Sequence, residues 1–172
     1  MFKKIVRYGA LGAAALLILI QLVPYGRAHA NPAVVQEPMW DSPETLALAQ
    51  RACFDCHSNE TVWPWYSNVA PVSWQLQRHV EEGREHLNFS EWGQGGEGEE
   101  TDELVEVILE GEMPPANYLL LHPEARLTAA EQDALVRGLA ATNGGTYTPG
   151  QSQNDDDHDR NEGHEEKDDH DD

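Results

Sequence analysis

Cysteine is almost absent from this chain: Cys53 and Cys56 are the only two in 172 residues. If both are committed to one task, no structural disulfide can form. A four-ligand zinc site would need a second C-x-x-C, and the sequence has none. Basic residues are also scarce. Lysine and arginine number 11 against 31 Asp and Glu, giving a formal net charge of −20. Residues 31–150 hold five arginines against 20 carboxylates. Nucleic-acid binding needs a basic footprint, so that class is excluded. The acidity either steers in a basic protein partner or serves solubility alone. No internal repeat and no sustained strand alternation is visible.

What is present is sharper. Residues 53–57 read Cys53-Phe54-Asp55-Cys56-His57, the C-x-x-C-H signature of c-type haem attachment. Two sulfurs at this spacing reach two vinyl groups on one macrocycle edge, and His57 follows onto the iron. A dithiol redox pair would want a strand–helix context, and none is legible here. The reading is therefore one covalent haem c, with Cys53, Cys56 and His57 as its binding residues.

The N-terminus points to export. Lys3, Lys4 and Arg7 precede an apolar run from Gly9 to Val23, a basic end followed by a hydrophobic segment. The basic end is expected to stay in the cytoplasm, which puts the remainder on the periplasmic side of a bacterial inner membrane. Residues 1–30 are a signal peptide or a membrane anchor. Ala28-His29-Ala30 has the form of a cleavage site, after which the protein would be soluble. The run is shorter than the ~20 residues of a spanning helix. Ile5 and Val6 extend it, however, and Arg7 could snorkel to the headgroups.

Residues 31–147 have the size of one domain, and their pattern is helical. Ser42 caps a helix with Pro43 at its first position, running through Leu46, Leu48 and Ala49 to Cys53. Pro71 starts a second helix with an apolar stripe of Val72, Leu76, Val80 and Leu87. Asp102 and Glu103 begin a third, with Leu104, Val105, Ile108 and Leu109. Thr128 to Glu131 forms a capping box ahead of a fourth, with Leu135, Val136 and Leu139. The expected fold is all-α: a small cytochrome c-like domain of about four helices around one haem, the first and last packed together. Gly93 to Gly98 reads as a surface loop. Residues 148–172 read as a disordered acidic tail. His158, His164 and His170 recur there among carboxylates, a weak metal-binding pattern or simply a solvated tail.

The sixth iron ligand is expected from Met113 in Gly111-Glu112-Met113-Pro114-Pro115. The prolines stop a helix and hold an extended loop able to present a thioether. Filling space is the commoner work of a methionine. His122, before Pro123, is the alternative ligand. His79 is read as a partly buried structural histidine, His86 as exposed, and Met39 as too distant. Trp63-Pro64-Trp65-Tyr66 is read as a non-helical wrap along the macrocycle edge. A tryptophan N–H or the Tyr66 hydroxyl could donate to a haem propionate, although core filling is the plainer role. Arg78 and Arg84 are propionate partners or, more ordinarily, pair with neighbours such as Glu81.

Longer strings carry a family resemblance. Cys53 to Thr61 with Trp63 to Ser67, Val69 to Trp74, Leu87 to Trp92, Met113-Pro114-Pro115 with Tyr118, and His122-Pro123 with Ala125 to Leu127 are similar to the bacterial haem-binding domain family of exported monohaem proteins. The resemblance covers roughly residues 21 to 140. It implies a c-type haem domain on the periplasmic side, and the family-like Gln21 to Arg27 favours an anchor. The expectation is a monohaem cytochrome passing single electrons between redox proteins, not an enzyme. The alternatives are a haem-based small-ligand sensor or peroxidase-like enzyme, and a haem-stapled binding module with a metal-binding tail.

Overall fold

The structure is a computed structural model that describes residues 1–94 and 101–147. The tail reading, and most of the Gly93–Gly98 loop reading, fall outside those residues. Helix α1 spans Phe2–Ile20 and has no buried residue. Lys3, Lys4 and Arg7 occupy its first two turns. Among the described residues no helix is long and apolar enough to cross a membrane.

The remaining elements form a small all-α domain. Helix α2, Pro43–Ala52, begins where the Ser42 side chain accepts from the Thr45 N–H at 3.1 Å, a cap that contributes about 1 kcal/mol. A one-turn helix α3, Phe54–His57, follows directly. Trp65–Asn68 is a 3₁₀ turn, so the aromatic wrap is extended only up to Pro64. Helix α4 is Val72–His86, α5 is Thr101–Leu109, α6 is the single turn Ala116–Leu119, and α7 is Ala129–Thr142. The capping box at Thr128 and Glu131 forms as expected. The one-turn helices add to the four that periodicity predicts. Their apolar periodicity is too short to register.

Helix α7 packs against α2 and α5, and α4 packs against α3. The core joins Leu48, Ala49, Phe54, Leu87 and Phe89 to Leu104, Val105, Ile108, Leu135, Val136 and Leu139. Gly138 lets α2 and α7 close in, since a Cβ there would overlap the Thr45 side chain. Phe54 and Phe89 stack with centroids 5.6 Å apart, and Trp40 and Trp92 flank Phe89. The motif helix is thus pinned from beneath by its own Phe54. Val72 and Leu109, expected in the apolar stripes, are exposed, each standing at an end of its helix. The only pairing of β type among the described residues is an isolated parallel bridge between Gln36 and Glu91.

Candidate haem site

The three motif residues share one turn. The Cys56 and His57 N–H groups donate to the Cys53 carbonyl at 3.1 and 2.9 Å. Helix α4 lies directly over this turn. At Gly83, a Cβ would stand 2.7 Å from the Cys56 carbonyl oxygen and 3.1 Å from the Cys56 Cβ. Glycine is costly inside a helix, and here it permits that approach.

The His57 ring is held by its Nδ1, 3.1 Å from the Leu87 carbonyl oxygen. A carbonyl only accepts, so Nδ1 carries the proton and the Nε2 lone pair is left for a metal. Burial lowers the imidazole pKa, against the opposing backbone bonds of Leu87 and Gly83, which favours the neutral ring a ligand must be. The thiols are equally distinct. Burial pushes Cys53 up to about 12 and Cys56 up to about 11. Burial thus favours the neutral thiol at both positions.

A buried polar network fixes the chain just after His57. Ser58 Oγ donates to the Phe54 carbonyl at 2.7 Å, Ser90 Oγ accepts from the Asn59 N–H at 2.9 Å, and Asn88 Nδ2 donates to Asn59 Oδ1 at 3.0 Å. The Phe89 N–H closes it on the His57 carbonyl at 2.8 Å. Buried networks satisfied in this way hold a single arrangement.

Asp55, the third residue of the motif, ties it to the opposite segment. Its Oδ1 accepts from the Val62 N–H at 2.9 Å, and its Oδ2 accepts from the Tyr118 hydroxyl at 2.7 Å. Burial and this carboxylate raise the Tyr118 pKa far above that of free tyrosine. Tyr118 stands five residues beyond Met113, so the Met-Pro-Pro loop is linked to the motif through the chain. Met113 itself is 37% exposed. Its N–H donates to the Val107 carbonyl at 3.0 Å, which turns the chain back after α5.

The other named residues fall as follows. His122 stacks on Tyr118 with centroids 4.1 Å apart. Its Nδ1 lies 3.2 Å from the Tyr118 carbonyl and its Nε2 3.4 Å from the Tyr66 hydroxyl, so both nitrogens have partners. His79 is exposed rather than partly buried, because it sits on the solvent side of α4 from Val80; His86 and Met39 are exposed as expected. Arg78 pairs with Glu82 one turn on. Arg84 is not a surface residue pairing with neighbours. It donates to the Ser58 and Ala30 carbonyls, to Asn31 Oδ1 and to Thr61 Oγ1, all between 2.8 and 3.1 Å. Trp63 donates to Asn31 Oδ1 at 3.2 Å. The Trp74 indole N–H is buried with no partner among the described residues.

Sequence reasoning assigned no site role to Asp55, Gly83 or Tyr118, and Leu87 read only as part of an apolar stripe. A glycine inside the otherwise regular pattern of α4 was the one available sign. The donor set fits haem: an imidazole whose burial favours the neutral ring, and two thiols in the same turn. Val62, Trp65, Leu120 and Leu121, on the segments tied to Asp55 and His122, are apolar and 64–79% exposed. No curated protein and no solved structure matches the chain. A model of the haem-binding domain matches residues 15–141, most of the sequence, so the chain belongs to the haem-binding domain family and haem is its cofactor.

Proposed function

We propose that this protein is a monohaem c-type cytochrome that carries single electrons on the periplasmic side of the bacterial inner membrane. Cys53 and Cys56 hold haem covalently through thioethers, and His57 is the proximal ligand. The observation that carries the proposal is the His57 geometry: Nδ1 is bonded to the Leu87 carbonyl, and His57 shares one turn with Cys53 and Cys56. When bound, haem supplies a reversible ferric/ferrous couple.

The chain's part is positioning and tuning. The Leu87 carbonyl fixes the ring orientation of His57 and raises its basicity. The Phe89–His57 bond and the α4 overlay hold the turn rigid, which keeps the reorganisation between redox states small. Met113 is the sixth ligand in this reading, from the loop that Tyr118 ties to Asp55. Both nitrogens of the rival His122 are already engaged. The acidic surface is a docking face for a basic redox protein. In this reading α1 associates with the membrane, its Lys3, Lys4 and Arg7 at lipid headgroups and its apolar turns against the lipid.

A second reading rests on the partial exposure of Met113. A displaceable sixth ligand would make the site a sensor or a weak peroxidase. A redox titration followed by absorption separates the two. Electron transfer requires a low-spin iron in both states and one reversible one-electron wave. A high-spin ferric protein that binds carbon monoxide or peroxide freely would favour the second reading.

A further inference from the structure

Residues 21–31 lead from α1 into the domain, and their contacts are those of an integral part of it. The Gln21 side chain makes a reciprocal pair with the Ala70 backbone: Nε2 donates to the Ala70 carbonyl at 2.9 Å, and Oε1 accepts from the Ala70 N–H at 3.0 Å. Arg27 donates to the same Oε1 at 3.1 Å. The Tyr25 hydroxyl donates to Glu81 Oε2 at 2.7 Å. Gly26 is buried at φ +80°, and a Cβ there would overlap the Ser73 carbonyl oxygen. His29 stacks on Trp63 with centroids 4.8 Å apart, and its Nε2 lies 2.8 Å from Ser67 Oγ. Arg84 grips both sides of the Ala30–Asn31 bond, through the Ala30 carbonyl at 3.0 Å and Asn31 Oδ1 at 3.1 Å.

We infer that Ala28-His29-Ala30 is not used as a cleavage site and that the mature protein keeps residues 21–31, with α1 attached, as a clasp on the haem domain. Cleavage after Ala30 would remove the Gln21 partner of Ala70 and one partner each of Glu81 and Ser67, and would divide the Arg84 contacts between two chains. It would also uncover the Ser73 backbone against which Gly26 packs. The join has no slack. Gln21 is the C-cap of α1 and is already bonded to Ala70. The side chains of Leu22, Val23, Val69 and Val72, near that bond in sequence, are apolar and exposed.

The inference rests on the exported, haem-bearing reading above, and the test separates the two. The protein is expressed in a bacterium able to attach haem c, fractionated, and measured by intact mass. A chain that includes residues 21–31 and α1, recovered from membranes with detergent, is expected. A soluble chain beginning at Asn31 would overturn the inference. The start of the chain is read whether or not haem is attached, so a missing haem mass counts against the proposed function alone. Gly26→Leu provides a second test. Its side chain must displace the clasp from Ser73, so the holoprotein should melt about 5 °C lower with an unchanged haem spectrum. An unchanged melting temperature would show that the clasp does not hold the domain.

Discussion

Replacing Gly83 with alanine sets two effects of opposite sign against each other. Gly83 lies inside α4. Helix propensity alone predicts that alanine stabilises the fold by about 1 kcal/mol. The new Cβ, however, would meet the Cys56 carbonyl oxygen at 2.7 Å and the Cys56 Cβ at 3.1 Å. Ordinary carbon contacts lie near 3.5–4.0 Å, so α4 must retreat by roughly half an ångström or more. The obstacle is largely backbone and cannot rotate away. Overpacking of this kind costs about 1–3 kcal/mol, here toward the upper end. The net expectation is a loss of about 1–2 kcal/mol, or about 5 °C in the melting temperature of the holoprotein. The effect should reach the haem as well. Leu87 is joined to Gly83 by its N–H at 3.0 Å and accepts from His57 through its carbonyl. Retreat of α4 therefore loosens the His57 ring and should shift the haem absorption. Thermal melts followed by circular dichroism and by haem absorbance read both effects. A rise in melting temperature with an unchanged spectrum would refute the close packing of α4 on the motif.

Met113→Ala should lower the reduction potential and admit carbon monoxide to the ferrous protein, because thioether sulfur favours ferrous iron; an unchanged spectrum and potential would remove Met113 as ligand. Tyr118→Phe should cost about 1–2 kcal/mol by leaving Asp55 short of one donor, measured as a lower denaturation midpoint. Glu131→Gln keeps the capping geometry and removes the charge. Backbone and side-chain bonds from Thr128 and Arg51 hold the Glu131 carboxyl at about 2, against an ordinary 4.5. A lowered folded-state value stabilises fully above about pH 4.5 and fades as pH falls toward 2. The mutant should therefore melt lower than wild type at pH 7, with the gap closing between pH 4.5 and 2. A gap independent of pH would assign the loss to something other than the charge.

Much of the frame was legible because local chemistry dictates it. Ser42-Pro43 and the Thr128–Glu131 box are endpoint signals that need no partner, and both helices start where those residues stand. Residues 53–57 were readable because the spacing that haem attachment would demand is local in sequence. What was not legible depends on contacts distant in sequence. Nothing in the pattern of α4 says that Leu87 offers its carbonyl to His57 thirty residues earlier. The partners of Arg84 lie 23 to 54 residues before it, while its local neighbours are acidic and suggested ordinary surface pairing. The clasp was obscured for a different reason. Ala28-His29-Ala30 has the composition of a processing site, and only the packing of Gly26 and His29 shows how it is engaged.

The most direct test of the central claim, covalent haem on Cys53 and Cys56 with His57 as proximal ligand, is acid–organic extraction of the matured protein followed by intact mass. The expected result is a denatured chain that carries the mass of one haem, and its loss when both cysteines are changed to alanine. Free haem in the organic phase, with the unmodified polypeptide left behind, would contradict the account.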